Sequence, residues 1–456
     1  MAAPDPQRLF CLDRFGGEST AKDRFGLSFL SLDPTRTALE EDRLRVALCP
    51  PVRRMQQKTQ VFPLDVKAST RSRLTHSMEV IEYTRLIALS LGGVSEFFAS
   101  RMDSMLLCLH NASLLHDIGN PPFGHFGEVV IRDFLDRQCD ELGTRLTPEQ
   151  SEDLRSFNGN AQSLRLIHSI QKLDLTCVQI ASILKVPHTP SELKEGQHRE
   201  GYDRLHAGAF LSELPLLDKI RQARGSTARH FLATVLELGD DLSYALADIE
   251  DAYDRELVKA SEIIYLTERL VEDDPRLAAH FSRDDIARRF RENPSGALVH
   301  MRDTIVRMYL EDITNAAKKG LEGFIDGGHL EFGDDSLGYC LVGKIKAYDL
   351  AKVYRHRDVE ELELGGAHYL NTLFGMYRSL LAPDREGFLA ELGGRTGNTM
   401  LSRLARRISR RHRDAYLEKS GGEDELYYRV RLIVDYISGM TDTYAKSEYN
   451  ILTGQN

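Results

Sequence analysis

The sequence predicts an all-α protein with at most one small β-hairpin. Apolar residues recur at helical spacing in several long segments, one segment is apolar nearly all round, and the alternation typical of strands is sparse. Of the 456 residues, 42% are hydrophobic, which is ample for a large buried core. Length alone would allow two or three domains.

The first helices are predicted in the N-terminal half. Leu74, Met78 and Ile81 recur at i, i+4 and i+7, which is typical of one helix face. The segment Met105–Asp117 is apolar nearly all round and therefore predicts a buried central helix. The cluster Gly119–Pro122 follows it and stops the helix, because such residues cannot continue helical geometry.

The sequence also predicts a longer helix, one candidate hairpin and two loops. Helical spacing extends over five turns in one segment, at Phe231, Val235, Leu238, Leu242, Leu246 and Ile249. The best strand signal is His329–Val342, which predicts a hairpin around Gly333–Asp335. Polar stretches rich in Gly, Pro, Asp or Glu predict loops at about 140–156 and about 186–209.

The chemical motifs lie between residues 57 and 248 without a clear linker among them. We therefore expect one large helical catalytic domain with its N-terminal segment at residues 1–315. Residues 316–456 would form a C-terminal helical extension packed on the same core.

Composition limits the classes of function. The formal net charge of -10 argues against a dedicated nucleic-acid coat, because duplex binding depends on basic surface. It does not exclude a nucleotide substrate, since one metal and a few Arg or Lys side chains can reverse the sign locally. No long apolar run predicts a membrane span, and the N-terminus lacks the apolar stretch of a secretory signal. The six cysteines are scattered without a CxxC pair, so we expect a cytoplasmic protein without disulfides.

The strongest chemical signal is the pair His116–Asp117 in HDIGNPPFGHFGE. Adjacent His and Asp at a helix end can offer an imidazole nitrogen and a carboxylate oxygen to one divalent ion. The glycines and prolines that follow predict a shaped loop, and the loop brings two more titratable groups, His125 and Glu128. A lone HD dipeptide would be weak evidence, but this context strengthens it.

Two further ligands are available on predicted helices. His76 lies in RLTHSMEV, and Asp240 lies in DDLSYALADIEDA. Asp240, Tyr244 and Asp248 are spaced i, i+4 and i+8, so they share one helix face. Burying such a face is costly unless its polar groups are paired or bind a ligand. Taken singly, His76 could instead be a surface or hydrogen-bonded core histidine, and Asp240 a solvated acid.

Together these motifs resemble a known family. The resemblance is carried by the segments RRMQQKTQVFPL (53–64), RLTHSMEV (73–80), HDIGNPPFGHFGE (116–128), FNGNAQSLRL (157–166), DDLSYALADIEDA (240–252) and YYRVRLIVDYISGMTDTYA (427–445). In this order they are similar to the HD-domain superfamily of metal phosphohydrolases and, within it, to the bacterial deoxyguanosine triphosphate triphosphohydrolase family. The matches span nearly the whole chain.

The resemblance implies a metal centre and a catalytic pair. The implied metal ligands are His76, His116, Asp117 and Asp240. The ion would be Mn²⁺ or Mg²⁺, with Fe²⁺, Co²⁺ or Zn²⁺ as alternatives. His125 and Glu128 would be the catalytic pair beside the metal.

The resemblance also implies the substrate contacts. Arg73 would contact the phosphates, and Asn160 and Lys185 the sugar or phosphate. Tyr244 and Asp248 would lie against the sugar and phosphates, in a fit that disfavours a 2′-hydroxyl. Gln60 and Val61 would lie near the base.

The implied reaction is metal-dependent hydrolysis of dGTP, or of several dNTPs, to deoxynucleoside and tripolyphosphate. Water would attack the α-phosphorus, with His125 as general acid or base and Glu128 orienting it. Two positions depart from the guanine-specific pattern: Val186 follows Lys185 where an aromatic residue is common, and His206 stands where a lysine is common. They leave open whether the enzyme prefers dGTP alone and whether a dNTP effector activates it.

Two other interpretations remain open at this stage. A different HD phosphohydrolase, acting on a cyclic nucleotide or an alarmone, would share the metal ligands. The second alternative is a regulator that binds single-stranded DNA and keeps a vestigial HD site. One arginine-rich segment favours it, because it predicts a basic helix with Leu401, Leu404 and Ile408 on the opposite face. The arginines of this segment are at positions 403, 406, 407, 410, 411 and 413. The family resemblance also implies a homo-oligomer, commonly a hexamer.

Overall fold

The computed structural model describes residues 6–15, 27, 32–65, 67, 69–194, 206–327, 330–395, 397 and 399–455. Among them, extended pairing is limited to two isolated bridges, Arg14 with Thr176 and Thr59 with Ser72. The predicted all-α class is therefore confirmed. None of the helices in the described part of the chain is long and apolar enough to cross a membrane.

The helices of the first half end at residue 224. They are α1 (Pro6–Leu9), α2 (Pro34–Ala47), α3 (Pro50–Arg54), α4 (Arg73–Gly92), α5 (Glu96–Ala99), α6 (Met102–Leu115), α7 (Gly124–Leu142), α8 (Pro148–Arg155), α9 (Gly159–Arg165), α10 (Cys177–Ala181), α11 (Pro190–Lys194) and α12 (Leu214–Arg224).

The second half continues in the same way. Its helices are α13 (Phe231–Asp254), α14 (Ala260–Asp273), α15 (Arg283–Glu292), α16 (Pro294–Lys319), α17 (Leu321–Ile325), α18 (Leu337–Asp349), α19 (Arg357–Tyr377), α20 (Arg385–Leu392), α21 (Met400–Arg407), α22 (Arg410–Leu417), α23 (Glu425–Ser438) and α24 (Asp442–Thr453).

Three helices, α4, α6 and α13, pack on one another at the centre. The prediction of a buried central helix is confirmed, since α6 buries residues such as Met105, Leu109 and Leu115. Helix α4 contains the predicted helical residues, and Ser72 caps its N-terminus. Leu74 and Ile81 of its predicted apolar face pack against a core cluster, whereas Met78 is 58% exposed. The buried face of α4 also carries polar residues, including His76, which hydrophobicity alone does not detect.

The predicted hairpin at His329–Val342 is wrong. Helix α18 begins at Leu337, and it buries Leu341, Val342 and Ile345, which recur at helical spacing. Packing of this face against α16 outweighs the local strand signal. His329 lies outside the described residues.

The predicted loop at 140–156 is also wrong. Helix α7 continues to Leu142, and α8 begins after Thr147, whose side chain forms a reciprocal cap with Gln150. The polar composition that suggested a loop is that of a helix start. The loop at 186–209 contains α11, and its residues 195–205 lie outside the described part of the chain.

The arginine-rich segment forms two helices rather than one. Helix α21 ends at Arg407, and α22 begins at Arg410, because Ile408 adopts extended backbone angles. Arg407 is paired with Glu448 of α24. The continuous basic helix expected from the sequence is therefore absent at this position.

The C-terminal helices share a core with the catalytic half. Helices α7, α19, α23 and α24 enclose a common apolar cluster. Buried ion pairs join the same parts, since Arg165 bonds Asp435 and Arg431 bonds Asp153. The expected boundary at 315/316 falls inside α16, and the division into a catalytic domain and an extension stays a prediction.

Candidate metal centre and active site

Three helices bring candidate metal ligands to one point. His76 lies on α4, His116 directly follows α6, and Asp240 lies on α13. Each offers one ligand atom, and these atoms lie within 4.8 Å of one another. Among the described residues, these three side chains form the group of histidines and carboxylates that could hold a metal ion.

The distances between ligand atoms suit a single ion. Asp240 Oδ1 lies 3.1 Å from His76 Nε2 and 3.4 Å from His116 Nε2. Asp117 Oδ1 lies 3.5 Å from His116 Nε2 on the other side. Neighbouring ligands around one ion with bonds of about 2.1 Å are expected roughly 3 Å apart. His76, His116 and Asp240 therefore converge directly, with Asp117 beside them.

The hydrogen bonds of His116 leave one nitrogen available. Its Nδ1 lies 2.8 Å from the Ser113 carbonyl oxygen, an arrangement that makes Nδ1 the donor. Its Nε2 is buried and has no hydrogen-bond partner. A buried, unpartnered acceptor facing two carboxylates is costly unless it binds a cation, so these residues fit a divalent metal.

The two carboxylates are held ionised. Burial opposes the charge of Asp117, but His116 and Arg73 outweigh it and hold the pKa below its ordinary value. Lys185 Nζ donates to Asp240 Oδ2 at 2.8 Å, and it likewise outweighs burial and keeps the pKa of Asp240 low. Asn120 Nδ2 donates to Asp117 Oδ1 at 2.8 Å and orients it.

A cavity of about 440 Å³ opens beside these residues. Most of the residues predicted as site residues line it: Gln60, Arg73, Asp117, His125, Glu128, Asn160, Lys185, Asp240 and Tyr244. Arg73 and Lys185 give the cavity positive charge next to the ligand carboxylates.

His125 and Glu128 lie one helical turn apart at the start of α7. His125 faces the cavity, with 77% of its side chain exposed, and its Nδ1 lies 3.9 Å from Glu128 Oε2. The neighbouring Glu128 carboxylate raises the pKa of His125. Glu128 is itself fixed, because its Oε1 accepts the Gly159 N–H at 3.0 Å.

Asp248 and Val61 do not line the cavity. Val61 is 6% exposed and packs in the apolar core. Asp248 is buried two turns beyond Asp240, and it accepts a hydrogen bond from Tyr354. The Tyr354 ring stacks on Tyr244, with ring centres 5.7 Å apart.

Several lining residues were missed from the sequence. They are Asn120, Arg132, Asn158, Gly159, Asp241 and Lys346. Asn120 lies inside the HD loop, where its position could have suggested it. Lys346 could not be found, because its segment was expected to follow a hairpin rather than belong to α18.

Comparison with known proteins agrees with this geometry. Residues 73–171 match the model of the HD domain, and residues 397–451 match that of the phosphohydrolase-associated domain. A probable deoxyguanosinetriphosphate triphosphohydrolase of Pseudomonas aeruginosa is 34% identical, over 91% of this chain and 92% of its own length. This chain belongs to the deoxyguanosinetriphosphate triphosphohydrolase family.

Other members of the family match over the same extent. A deoxyguanosinetriphosphate triphosphohydrolase of Serratia proteamaculans is 32% identical, and one of an Enterobacter species is 33% identical. Each match covers 91% of this chain and 93% of the relative. The HD match contains His76, His116 and Asp117, whereas Asp240 lies beyond it. The family assignment therefore rests on the relatives, which match 91% of this chain.

Proposed function

We propose that this chain is a metal-dependent hydrolase that converts dGTP, and other deoxynucleoside triphosphates, to deoxynucleoside and tripolyphosphate. The observation that carries the proposal is the buried, unpartnered Nε2 of His116. It faces Asp117 and Asp240 at the edge of a cavity lined by Arg73 and Lys185. A metal centre beside a cavity that Arg73 and Lys185 line suits a polyphosphate substrate. The family relatives are named for this activity.

The metal would be held by His76, His116, Asp117 and Asp240. When bound, a divalent ion supplies Lewis-acid polarisation of a phosphoryl oxygen and a more acidic water. Mixed imidazole and carboxylate donors suit Mn²⁺ or Mg²⁺, and also Fe²⁺, Co²⁺ or Zn²⁺.

His125 would handle the proton of the reaction. Water attacks the α-phosphorus, the bond from that phosphorus to the 5′-oxygen breaks, and the two products are deoxynucleoside and intact tripolyphosphate. The raised pKa of His125 favours the protonated imidazole, which can give its proton to the leaving 5′-oxygen. Glu128 stabilises that protonated form.

The remaining predicted residues would each contact a different part of the substrate. Arg73 and Lys185 would neutralise the phosphates, and Lys346, which lines the same cavity, would join them. Gln60 would lie near the base, where its Oε1 is buried without a partner.

The sugar side of the cavity is formed by aromatic and acidic groups. Tyr244 and Asn160 would contact the sugar or phosphates. Asp248 does not line the cavity and would act through Tyr354, which donates to it and stacks on Tyr244. Val61 would act near the base only through its packing, because its side chain is buried in the core.

A product assay tests the proposal. The purified protein is incubated with each of the four dNTPs and with GTP, in Mg²⁺ and separately in Mn²⁺, and products are separated by ion exchange. Deoxynucleoside with intact tripolyphosphate is expected, and a variant with His116→Ala and Asp117→Ala should produce neither. Pyrophosphate or monophosphate as the product would instead indicate a different HD phosphohydrolase.

We also propose, on the family resemblance, a cytoplasmic homo-oligomer in which a hexamer is favoured and a dNTP can act as effector. Light scattering with and without dNTPs measures the first, and activity in dNTP mixtures against single dNTPs measures the second. Single-stranded DNA is a further candidate partner, whose binding should weaken steeply with salt. Pairing of Arg407 with Glu448 leaves less basic surface for it than the sequence suggested.

A further inference from the structure

Three segments that are distant in sequence meet beside the cavity. The first is residues 57–60, which end at Gln60, and the second is residues 120–124, which end just before His125. The third is residues 438–442, from the last residue of α23 to the first residue of α24. The first two carry proposed substrate and catalytic groups. The third belongs to the C-terminal region and carries none.

Asp442 joins the other two segments through its carboxylate. The Thr59 N–H donates to Oδ2 at 2.9 Å, and the Phe123 N–H donates to Oδ1 at 3.0 Å. Asp442 is the first residue of α24 and only 2% exposed. Each oxygen therefore satisfies one buried backbone donor, which water cannot replace without entering the core.

The two donors lie directly before functional groups. Thr59 precedes Gln60, and Phe123 is separated from His125 only by Gly124. Phe123 adopts a left-handed backbone angle, φ 62°, which a bulky residue keeps only when its surroundings impose it. The ring of Phe123 packs against Gly366 of α19, where an added Cβ would lie 2.4 Å from Cγ. Ring and N–H are thus both held by C-terminal helices.

Lys58 makes a second, parallel connection. Its Nζ donates to the carbonyl oxygens of Asn120 and of Ser438, the latter at 3.2 Å. The side chain is 3% exposed, so its bonds are made inside the protein. The same three segments are therefore connected twice, once by a carboxylate that accepts and once by an amine that donates.

We propose that Asp442 is a positioning residue that sets the distance between the substrate-binding residue Gln60 and the catalytic loop that presents His125. Its kinetic consequence rests on the proposed function, whereas its effect on backbone order does not. The carboxylate touches no substrate; it acts through two backbone N–H groups. The C-terminal region would in this way complete the active site without entering it.

The test compares Asp442→Asn with Thr453→Ala. In the first variant an amide group faces one of the two N–H donors, so one bond is replaced by repulsion. The second variant changes the last residue of the same helix, where Thr453 Oγ1 donates to the Tyr449 carbonyl oxygen at 2.8 Å, and it leaves the Asp442 carboxylate in place. A further variant, Asp442→Ser, leaves room for water at the N–H groups in case the amide prevents folding.

Hydrogen exchange and steady-state kinetics are the measurements. In Asp442→Asn we expect amide exchange at 57–62 and 118–126 to rise at least tenfold, with exchange in α4 and α13 unchanged. We expect KM for dGTP to rise at least fivefold and kcat to fall at least tenfold. Asp442→Ser should show the same pattern, and Thr453→Ala should show neither change.

The outcomes separate the two proposals. If the wild-type protein cleaves no dNTP, the proposed function fails, and the exchange data alone decide the role of Asp442. Unchanged exchange at both segments, or equal acceleration over the whole chain, would overturn the inference. So would a lower kcat with unchanged KM that follows the folded fraction, because that pattern indicates a loss of stability alone.

Discussion

Carboxyl groups around the cavity differ in their neighbours. Asp117 and Asp240 lie beside Arg73 and Lys185 and stay ionised, as their proposed role as metal ligands requires. Asp248 and Asp349 are buried away from such partners, and burial raises the pKa of Asp248 to about 7 and that of Asp349 to about 9. Residue type alone does not distinguish these two pairs.

We expect Glu128→Gln to move the pH dependence of catalysis. The Glu128 carboxylate raises the pKa of His125, so an amide at this position removes that effect and the pKa of His125 falls. If protonated His125 is the general acid, kcat declines as pH rises through this pKa, and the decline moves to lower pH in the variant. A pH profile of kcat under saturating dGTP measures this; Glu149→Gln, distant on α8, serves as the control.

A profile that keeps its position in Glu128→Gln would contradict the assignment of the proton to His125. A rate that rises with pH, with the rise moved to lower pH, would instead make His125 the general base.

Asp349→Asn should stabilise the protein, and more so at higher pH. Both carboxyl oxygens of Asp349 are buried without hydrogen-bond partners. Its folded pKa of about 9 exceeds the unfolded value of about 3.9, so the folded state keeps a proton that the unfolded state releases. Wild-type stability therefore falls as pH rises through this window, and the neutral amide escapes the loss.

We expect the gain in the free energy of unfolding to be near zero at pH 4 and to grow by about 1.4 kcal/mol for each pH unit above the unfolded pKa, reaching roughly 4–5 kcal/mol at pH 7–8. Urea unfolding at several pH values measures it, with the exposed Asp334→Asn as the control. A gain that stays constant with pH would show that Asp349 is ionised in the folded protein.

Sequence reasoning singled out residues whose chemistry is marked by local context. His116 and Asp117 drew attention because a glycine- and proline-rich loop follows them, and their role as metal ligands stays a prediction. Lys346 and Tyr354 were missed, since they reach the site only through the packing of α18 and the turn after it. A lysine or tyrosine on a helix has no local mark that separates a cavity residue from a surface one.

At the scale of helices, the metal centre depends on the close approach of α4 and α13. Gly239 of α13 faces Thr84 of α4, and a Cβ built on it would lie 2.5 Å from Thr84 Cγ2 and 3.1 Å from its backbone nitrogen. Asp240, the next residue, reaches His76 across the same contact. A glycine therefore sets the distance between two of the proposed metal ligands.

We expect Gly239→Ala to weaken metal binding at least tenfold. Alanine ordinarily stabilises a helix relative to glycine by about 1 kcal/mol, but here the methyl group pushes α13 away from Thr84. The matched control is Gly343→Ala in α18, where a Cβ meets nothing within 4 Å and the ordinary stabilisation should appear. Calorimetric titration with Mn²⁺ and thermal unfolding measure the two effects.

Equal Mn²⁺ affinity in Gly239→Ala and the wild type would show that α4 and α13 can separate without disturbing the ligands. At this scale the sequence predicted that α4 exists and placed Leu74 and Ile81 correctly against the apolar core. Its buried face also mixes apolar residues such as Val80 and Ile87 with the polar residues His76, Ser77 and Thr84, which hydrophobic periodicity does not detect.

In the molecule as a whole, the two predicted regions share their cores. One apolar cluster combines α7 with α19 and α23, and another combines α13 and α16 with α18. The family resemblance predicted both the HD motif and a C-terminal signature, but no pattern in the sequence shows that they pack together. Contacts such as Arg165 with Asp435 join residues hundreds of positions apart, and periodicity is a local signal.

We expect a fragment of residues 1–315 not to fold independently, even though the motifs for chemistry all lie within it. Cutting there ends the chain inside α16 and exposes the faces of α7 and α13 that the C-terminal helices cover. Large exposed apolar faces favour aggregation over a native monomer. Size-exclusion chromatography, circular dichroism and Mn²⁺ titration of the fragment, with the full chain as control, measure this.

The contrary outcome is a monodisperse fragment that unfolds cooperatively and binds Mn²⁺ as the full chain does. It would establish residues 1–315 as an autonomous domain. The role of Asp442 would then concern only the arrangement of the loops in that domain.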